Sequence, residues 1–266
     1  MNRIDRTFQA LRAAGRKGLV GYLTAGDPDV AQSERDVRAA IAAGVDVLEL
    51  GVPFSDPTAD GPTIQAASQR ALAAGMTVAR ALELVAALRR DVTVPIVLFG
   101  YVNPFYRYGY ARLCADAARA GADGLLIVDL PFEESGELQP HLDRHNLFRI
   151  PLVAPTTPPE RAAVILRGAR GFVYYIMVKG VTGARAALAA DVEHHVAALR
   201  TCTDLPIAVG FGVSNGQQAA DAARHGDAVV VGSALVAAAR EGRLPELVAD
   251  LRRGLDGAAG GGRDGG

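Results

Sequence analysis

The sequence predicts an α/β protein built as a single (β/α)8 barrel, the TIM-barrel class. Three observations carry that expectation. Short β-branched or apolar runs alternate with Ala/Arg/Leu-rich stretches of helical spacing, the pattern of βαβ units around a parallel sheet. Eight such runs occur along the chain, which is the strand number of a closed barrel. The length of 266 residues suits one barrel, which spans ~200–250 residues as one domain, although two domains of ~130 residues satisfy the length alone.

Taken in order, the expected strands cover residues 18–23, 45–50, 95–101, 124–128, 148–153, 172–178, 207–210 and 228–231. Each is bounded by Gly, Pro or Asp, residues that punctuate strands. Helices are expected at 31–43, 77–90, 111–120, 159–168, 186–200 and 215–225, and residues 1–18 are basic with a helical pattern. The rival architecture is an open doubly wound sheet. Its first turn usually carries Gly-x-Gly-x-x-Gly, whereas here that turn reads Thr24-Ala25-Gly26-Asp27-Pro28. The expected organisation is therefore one barrel over residues 1–256, followed by a flexible Gly-rich tail at 257–266, GAAGGGRDGG.

Composition excludes several functions. Lys and Arg number 28 against 29 Asp and Glu, a formal net charge of -1, without the basic surface of a nucleic-acid binder. Hydrophobic residues make up 50%, enough for a large core and too many for general disorder. The two cysteines, Cys114 and Cys202, stand far apart and form neither a disulfide framework nor a thiolate zinc site. No apolar segment marks a signal peptide or a membrane span, so a cytoplasmic protein is expected. Among the histidines, His194 and His195 point to different helix faces. His141 and His145 share one without a third ligand, so no metal site is expected.

In a barrel the C-terminal ends of the strands carry the chemistry, so polar residues just after apolar runs are the ones to weigh. In the run Val45-Asp46-Val47-Leu48-Glu49-Leu50, period two aligns Glu49 with Val45 and Val47. A carboxyl in such a place is desolvated and its pKa rises toward the range of a general acid/base. The competing reading is an ion pair with a nearby Arg. The loop Pro53-Phe54-Ser55-Asp56-Pro57-Thr58-Ala59-Asp60-Gly61-Pro62 presents two carboxylates on a stiffened backbone. Both are also ordinary turn formers, and Asp60 is placed to cap a following helix.

Gly210-Phe211-Gly212-Val213-Ser214 and Gly232-Ser233-Ala234 follow the last two strands. Barrels bind phosphate at those two loops and a short helix N-terminus, and tight strand-to-helix turns are the alternative. Lys179, one of only two lysines, follows the sixth strand. It reads either as a Schiff-base amine or as a surface cation on a glycine-flanked, lid-like loop.

Together these motifs resemble the tryptophan synthase alpha subunit family. The resemblance rests on Leu48 to Pro57 and Ala59 to Gln65, with Tyr22-Leu23-Thr24-Ala25-Gly26-Asp27-Pro28 and Tyr101-Val102-Asn103-Pro104. It continues through Asp129-Leu130-Pro131, Glu133-Glu134, Ala154-Pro155-Thr156-Thr157, Gly180-Val181-Thr182-Gly183, the Gly210 to Ser214 stretch and Val231 to Leu235. The resemblance implies a (β/α)8 barrel that cleaves indole-3-glycerol phosphate to indole and glyceraldehyde 3-phosphate. It implies that Glu49 is the acid/base for indole C3 and the glycerol hydroxyl, and that Asp60 serves the indole N–H. It further implies that Thr182, Gly183, Gly212, Gly232 and Ser233 contact the substrate, mostly at its phosphate. Tyr22, Leu126, Tyr175 and Phe211 would line the indole pocket, and Tyr101 would approach from the third strand. No cofactor is implied for this chain. Pyridoxal phosphate belongs to the beta subunit, the implied partner in an alpha2beta2 complex.

Three positions depart from the family pattern. Met177 stands where a Ser is usual, Lys179 where a small residue is usual, and Thr58 where an aliphatic residue is common. All three lie in or beside two loops, so loop closure and coupling to a beta subunit are the properties they bear on. A free-standing lyase that releases indole, or a non-catalytic activator of a beta subunit, is the alternative.

Overall fold

The computed structural model describes residues 1–176, 185–210 and 212–260, with the backbone alone for 185–191 and 259–260. Its strands are β1 Gly18–Thr24, β2 Val47–Gly51, β3 Ile96–Gly100, β4 Gly124–Ile127, β5 Phe148–Arg149, β6 Leu152–Val153, β7 Val173–Ile176, β8 Ile207–Gly210 and β9 Ala228–Val231. The helices are α1 Arg3–Ala13, α2 Val30–Ala43, α3 Pro62–Ala73, α4 Val78–Leu88, α5 Val102–Tyr108, α6 Tyr110–Ala120, α7 Gln139–Arg144, α8 Pro159–Leu166, α9 Arg185–Arg200, α10 Gly216–Ala223, α11 Ser233–Arg240 and α12 Leu244–Gly260. A 3-10 turn spans Phe132–Gly136.

All strand pairings are parallel, in the order β5-β4-β3-β2-β1-β9-β8-β7-β6. The two ends of that order, β5 and β6, are successive pieces of the run expected as one strand at 148–153. Ile150 N–H donates to the Leu125 carbonyl, and the Pro151 carbonyl accepts from Tyr174 N–H, each at 2.9 Å. The run thus pairs with β4 on one side and β7 on the other, and the ring closes through it as a (β/α)8 barrel. Pro151 has no N–H for the ladder, which divides the run into two short pieces.

Two layers of packing follow from period two. Inward side chains such as Val20, Val47, Val97, Leu126, Phe172, Ala208 and Val230 fill the barrel. Outward ones such as Leu48, Leu98, Leu125, Val173 and Val229 meet the helices. The bottom of the barrel is plugged by α1, whose Ile4, Phe8 and Leu11 join the inner cluster. The Phe8 and Phe172 rings lie 5.4 Å apart. Asn2 starts this helix by accepting from Ile4 N–H, and its amide donates to the Asp123 carbonyl at 2.9 Å.

Two expectations change. Val45 does not share a face with Val47 and Glu49, because β2 begins only at Val47 and Val45 packs in the outer cluster. Asp46 between them turns aside to accept from Leu19 N–H at 2.8 Å. The Gly-rich end also starts later than expected. The last helix, anchored by fully buried Leu251 and Leu255, carries residues 257–260 as helix, and 261–266 lie outside the described residues.

Candidate active site

Glu49 sits on β2 with its backbone in register with Tyr22 of β1 and Val97 of β3. Those neighbours face inward, so the Glu49 carboxyl does too. It is 1% exposed, and neither oxygen has a hydrogen-bond partner. Water would stabilise the anion, and this pocket supplies no replacement. Burial therefore pushes its pKa up to about 8. The alternative of a structural ion pair is removed, because among the described residues no Arg reaches this carboxyl.

One layer higher, Gly51 leaves room for the Tyr22 ring. A Cβ there would lie 2.1 Å from the Tyr22 hydroxyl oxygen, so a side chain at Gly51 would displace the tyrosine. Tyr22 meets Phe99 edge-on at 5.1 Å and accepts from the Thr24 hydroxyl at 3.4 Å. Its phenol is held well above its usual pKa by burial first, then by the charges of Asp60 and Glu49.

The loop after β2 is held by Tyr101, which follows β3 and is the N-cap of α5. The Phe54 and Tyr101 rings stack at 5.4 Å, and Ala59 N–H donates to the Tyr101 hydroxyl at 3.0 Å. Burial raises the pKa of Asp60, and the nearby Tyr101 hydroxyl works against that rise. Burial is the larger effect, and the net result is a rise to about 6. The Gln65 amide fixes the Asp60 backbone carbonyl at 2.8 Å. Asp60 does not cap α3: the N-cap is Gly61, with no side-chain bond.

In the loop after β8, Gly212 adopts a left-handed φ of +66°. Gly232 forms the N-cap of α11, whose first residue is Ser233. The first turn of a helix leaves N–H groups without intrahelical acceptors, which suits an anion. Leu126 is fully buried in the inner cluster beside Phe99.

Tyr175 needs correction. Its side chain belongs to the outer cluster and faces the His195 ring of α9 at 6.5 Å. Tyr174 points into the barrel instead. Its phenol is raised well above the usual pKa by burial and by the charges of Glu49, Asp60 and Tyr22. A Cβ at Gly210 would approach its hydroxyl to 3.2 Å. Inward Phe172 and outward Val173 set the phase of this strand. Thr182, Gly183 and Phe211, with Met177 and Lys179, lie outside the described residues. Among the described residues, no group of three or more His, Cys, Asp or Glu could hold a metal, and no single helix is long and apolar enough to cross a membrane.

The comparisons with known proteins agree with this geometry. The family model described as "Tryptophan synthase alpha chain" matches residues 8–252. The chain belongs to that family. It is 50% identical over 263 residues to a tryptophan synthase alpha chain from Laribacter hongkongensis, covering 96% of this chain and 100% of the relative. It is 52% identical over 257 residues to one from Gluconacetobacter diazotrophicus, covering 96% and 92%. Among solved structures, a chain of M. tuberculosis tryptophan synthase in an open form superposes with a TM-score of 0.88 at 38% identity, covering 96% and 98%. The alpha chain from Legionella pneumophila gives 0.87 at 36%, with the same coverage. As a tryptophan synthase alpha chain the protein is a carbon–carbon lyase of tryptophan biosynthesis, cleaving indole-3-glycerol phosphate to indole and glyceraldehyde 3-phosphate.

Proposed function

We propose that Glu49 and Asp60 carry the retro-aldol cleavage in this chain, with the substrate phosphate at the glycine loops. The observation that carries this reading is the deeply buried carboxyl of Glu49, which has no hydrogen-bond partner, with Glu49 and Asp60 both among the charges that raise the Tyr22 phenol. Indole is a poor carbanion leaving group until C3 is protonated. Glu49, neutral below about pH 8, gives its proton to C3. Positive charge then develops toward the ring nitrogen, where Asp60, ionised above about pH 6, accepts or holds the N–H proton. Glu49, now a carboxylate, takes the proton of the glycerol hydroxyl. The carbon–carbon bond breaks, its electrons return to the indole ring, and the aldehyde leaves. Two carboxyls whose environments set different pKa values thus divide acid and anion duties.

Tyr22, Phe99, Leu126 and Tyr174 supply an apolar slot with phenol edges for the indole ring. Gly212, Gly232 and Ser233, with Thr182 and Gly183, hold the phosphate, which fixes the reacting carbon over Glu49. The cleavage couples proton transfers to the breaking of one carbon–carbon bond, and pyridoxal phosphate belongs to the beta subunit, with which this chain forms an alpha2beta2 complex in the cytoplasm. The barrel is one folding unit from residue 1 through α12. The test is steady-state cleavage of indole-3-glycerol phosphate by the isolated chain, with and without a beta subunit, using Glu49→Gln as control. Measurable wild-type cleavage that is lost in the variant supports the reading. Equal activity in both would remove Glu49 from the chemistry.

A further inference from the structure

The outward positions of the barrel strands are apolar, as at Leu48, Leu98, Leu125, Val173, Val209 and Val229. At β5 the outward position holds Arg149, between Phe148 and Ile150, which both face inward. This guanidinium is poorly provided for. Its Nε is shut off from solvent and has no hydrogen-bond partner. Its guanidinium carbon lies 5.3 Å from the centre of the Phe132 ring, a contact that replaces little of the lost hydration. Among the described residues no carboxylate pairs with it. Two acids that share a cavity with it are engaged elsewhere: Glu133 binds Arg161, and Asp143 binds Arg170 at 2.6 Å.

Above Arg149 lies a cavity of about 460 Å³, between the segment from Phe132 to Asp143 and the loop after α8, with Arg167 and Arg170 on its wall. With Glu133 and Asp143 neutralised, Arg149 and Arg167 are left as uncompensated cations facing one space. Arg149 is half-buried with its Nε shut off from solvent, a costly place for an unpaired charge, while Arg167 is exposed, and a planar guanidinium fork matches the paired oxygens of an oxyanion. We propose that this cavity binds a small anion of the phosphate class, gripped by Arg149 at the floor and by Arg167 at the rim. It lies outside the barrel wall, so the site is separate from the phosphate loops of the barrel mouth and does not depend on the proposed reaction. The same chemistry is offered by inorganic phosphate and by a phosphate monoester.

The test follows the Arg149 Nε–H in the nitrogen-15 spectrum of the full chain, assigned through its loss in Arg149→Met. Inorganic phosphate and glycerol 3-phosphate are titrated separately at constant ionic strength. We expect a saturable shift, with the tighter of the two naming the source of the anion. Arg167→Met should weaken binding by about tenfold or more, the worth of one charge-assisted hydrogen bond. Arg149→Lys, which keeps the charge, should lose the paired grip by a similar factor, followed through the Arg167 Nε–H signal. Steady-state constants for indole formation should stay unchanged in all three variants. No saturable shift, an equal shift with chloride, or undiminished affinity in Arg167→Met would each overturn the proposal. Arg149 would then be a structural cation resting on Phe132.

Discussion

Carboxylates buried or half-buried at the two ends of the barrel are treated in opposite ways. At the bottom, Asp46, Asp123 and Asp227 each precede a strand and repeat one arrangement. Each accepts a backbone N–H from the neighbouring strand, of Leu19, Ile96 and Ile207 respectively, at 2.8 to 2.9 Å. Each also takes a guanidinium from a surrounding helix, that of Arg252, Arg89 or Arg200, at 2.8, 2.6 and 3.0 Å. Asp123 adds Arg3 at 3.0 Å. At the top, Glu49 is as deeply buried as Asp123 and has no partner at all. Full satisfaction marks a carboxylate that fastens strands to helices. Isolation marks one kept neutral and ready to exchange a proton, at a cost in stability.

The sharpest way to break this contrast is to neutralise each end in turn. Glu49→Gln keeps shape and burial but cannot transfer a proton. Cleavage should fall by about 10²–10⁴-fold, the range for a lost general acid/base, as measured by steady-state indole release. Its effect on folding should have the opposite sign. A carboxyl whose folded pKa is raised to about 8 stays protonated while the unfolded chain releases its proton. Wild-type stability therefore falls as pH rises from the ordinary carboxylate range to about 8, and then levels off. The variant, lacking that loss, should gain on the wild type by a few kcal/mol across that window in denaturant titrations. A variant that is both inactive and less stable at pH 8 would show that Glu49 has a partner in solution. Asp123→Asn should do the reverse. It should cost about 3 kcal/mol, because it strips a buried ion pair and leaves Arg89 exposed to its own desolvation. The turnover of the folded fraction should remain unchanged.

The pH dependence of cleavage sharpens the same contrast from the top end alone. The free chain needs Asp60 ionised and Glu49 protonated. The specificity constant should therefore rise through about pH 6 and decline through about pH 8, giving a bell with a narrow plateau. In Glu49→Gln the residual activity should lose the alkaline limb. A flat profile from pH 5 to 9 would contradict the division of labour.

The architecture is legible in the sequence because α/β alternation changes period between elements, and because the eight expected runs all occur as strands. Glu49 is legible for a related reason: a charge inside an apolar strand has few innocent explanations. The phase of β7 is not. The run from Phe172 to Ile176 is buried on both faces, as parallel barrel strands are. Without polar residues to mark a side, nothing local says that Tyr174 rather than Tyr175 faces the substrate. The bottom carboxylates are hidden for another reason. Asp before a strand reads as a turn former, and its partners Arg89 and Arg252 lie 34 and 206 residues away. Helices such as α3 and α11 escape because alanine on every side blurs their inner faces. Tyr101 reads as the end of a strand, although its role comes from the loop it holds.

That role gives the smallest predicted effect. Tyr101→Phe keeps the ring stacked on Phe54 but removes the hydroxyl that receives Ala59 N–H and lies near Asp60. The loss of one hydrogen bond at a partly exposed loop is worth about 1 kcal/mol. Turnover should thus fall by less than about tenfold, with little change in unfolding midpoint. The diagnostic lies in the acid limb. The Tyr101 hydroxyl lowers the pKa of Asp60 against the upward push of burial, so its removal should move that limb above pH 6 while the limb near 8 stays put. A shift of both limbs would mean that Tyr101 acts through the whole pocket. An unmoved acid limb with lower turnover would mean that the hydroxyl only steadies the loop backbone at Ala59. The one variant thus separates the electrostatic tie to Asp60 from the mechanical tie to its loop.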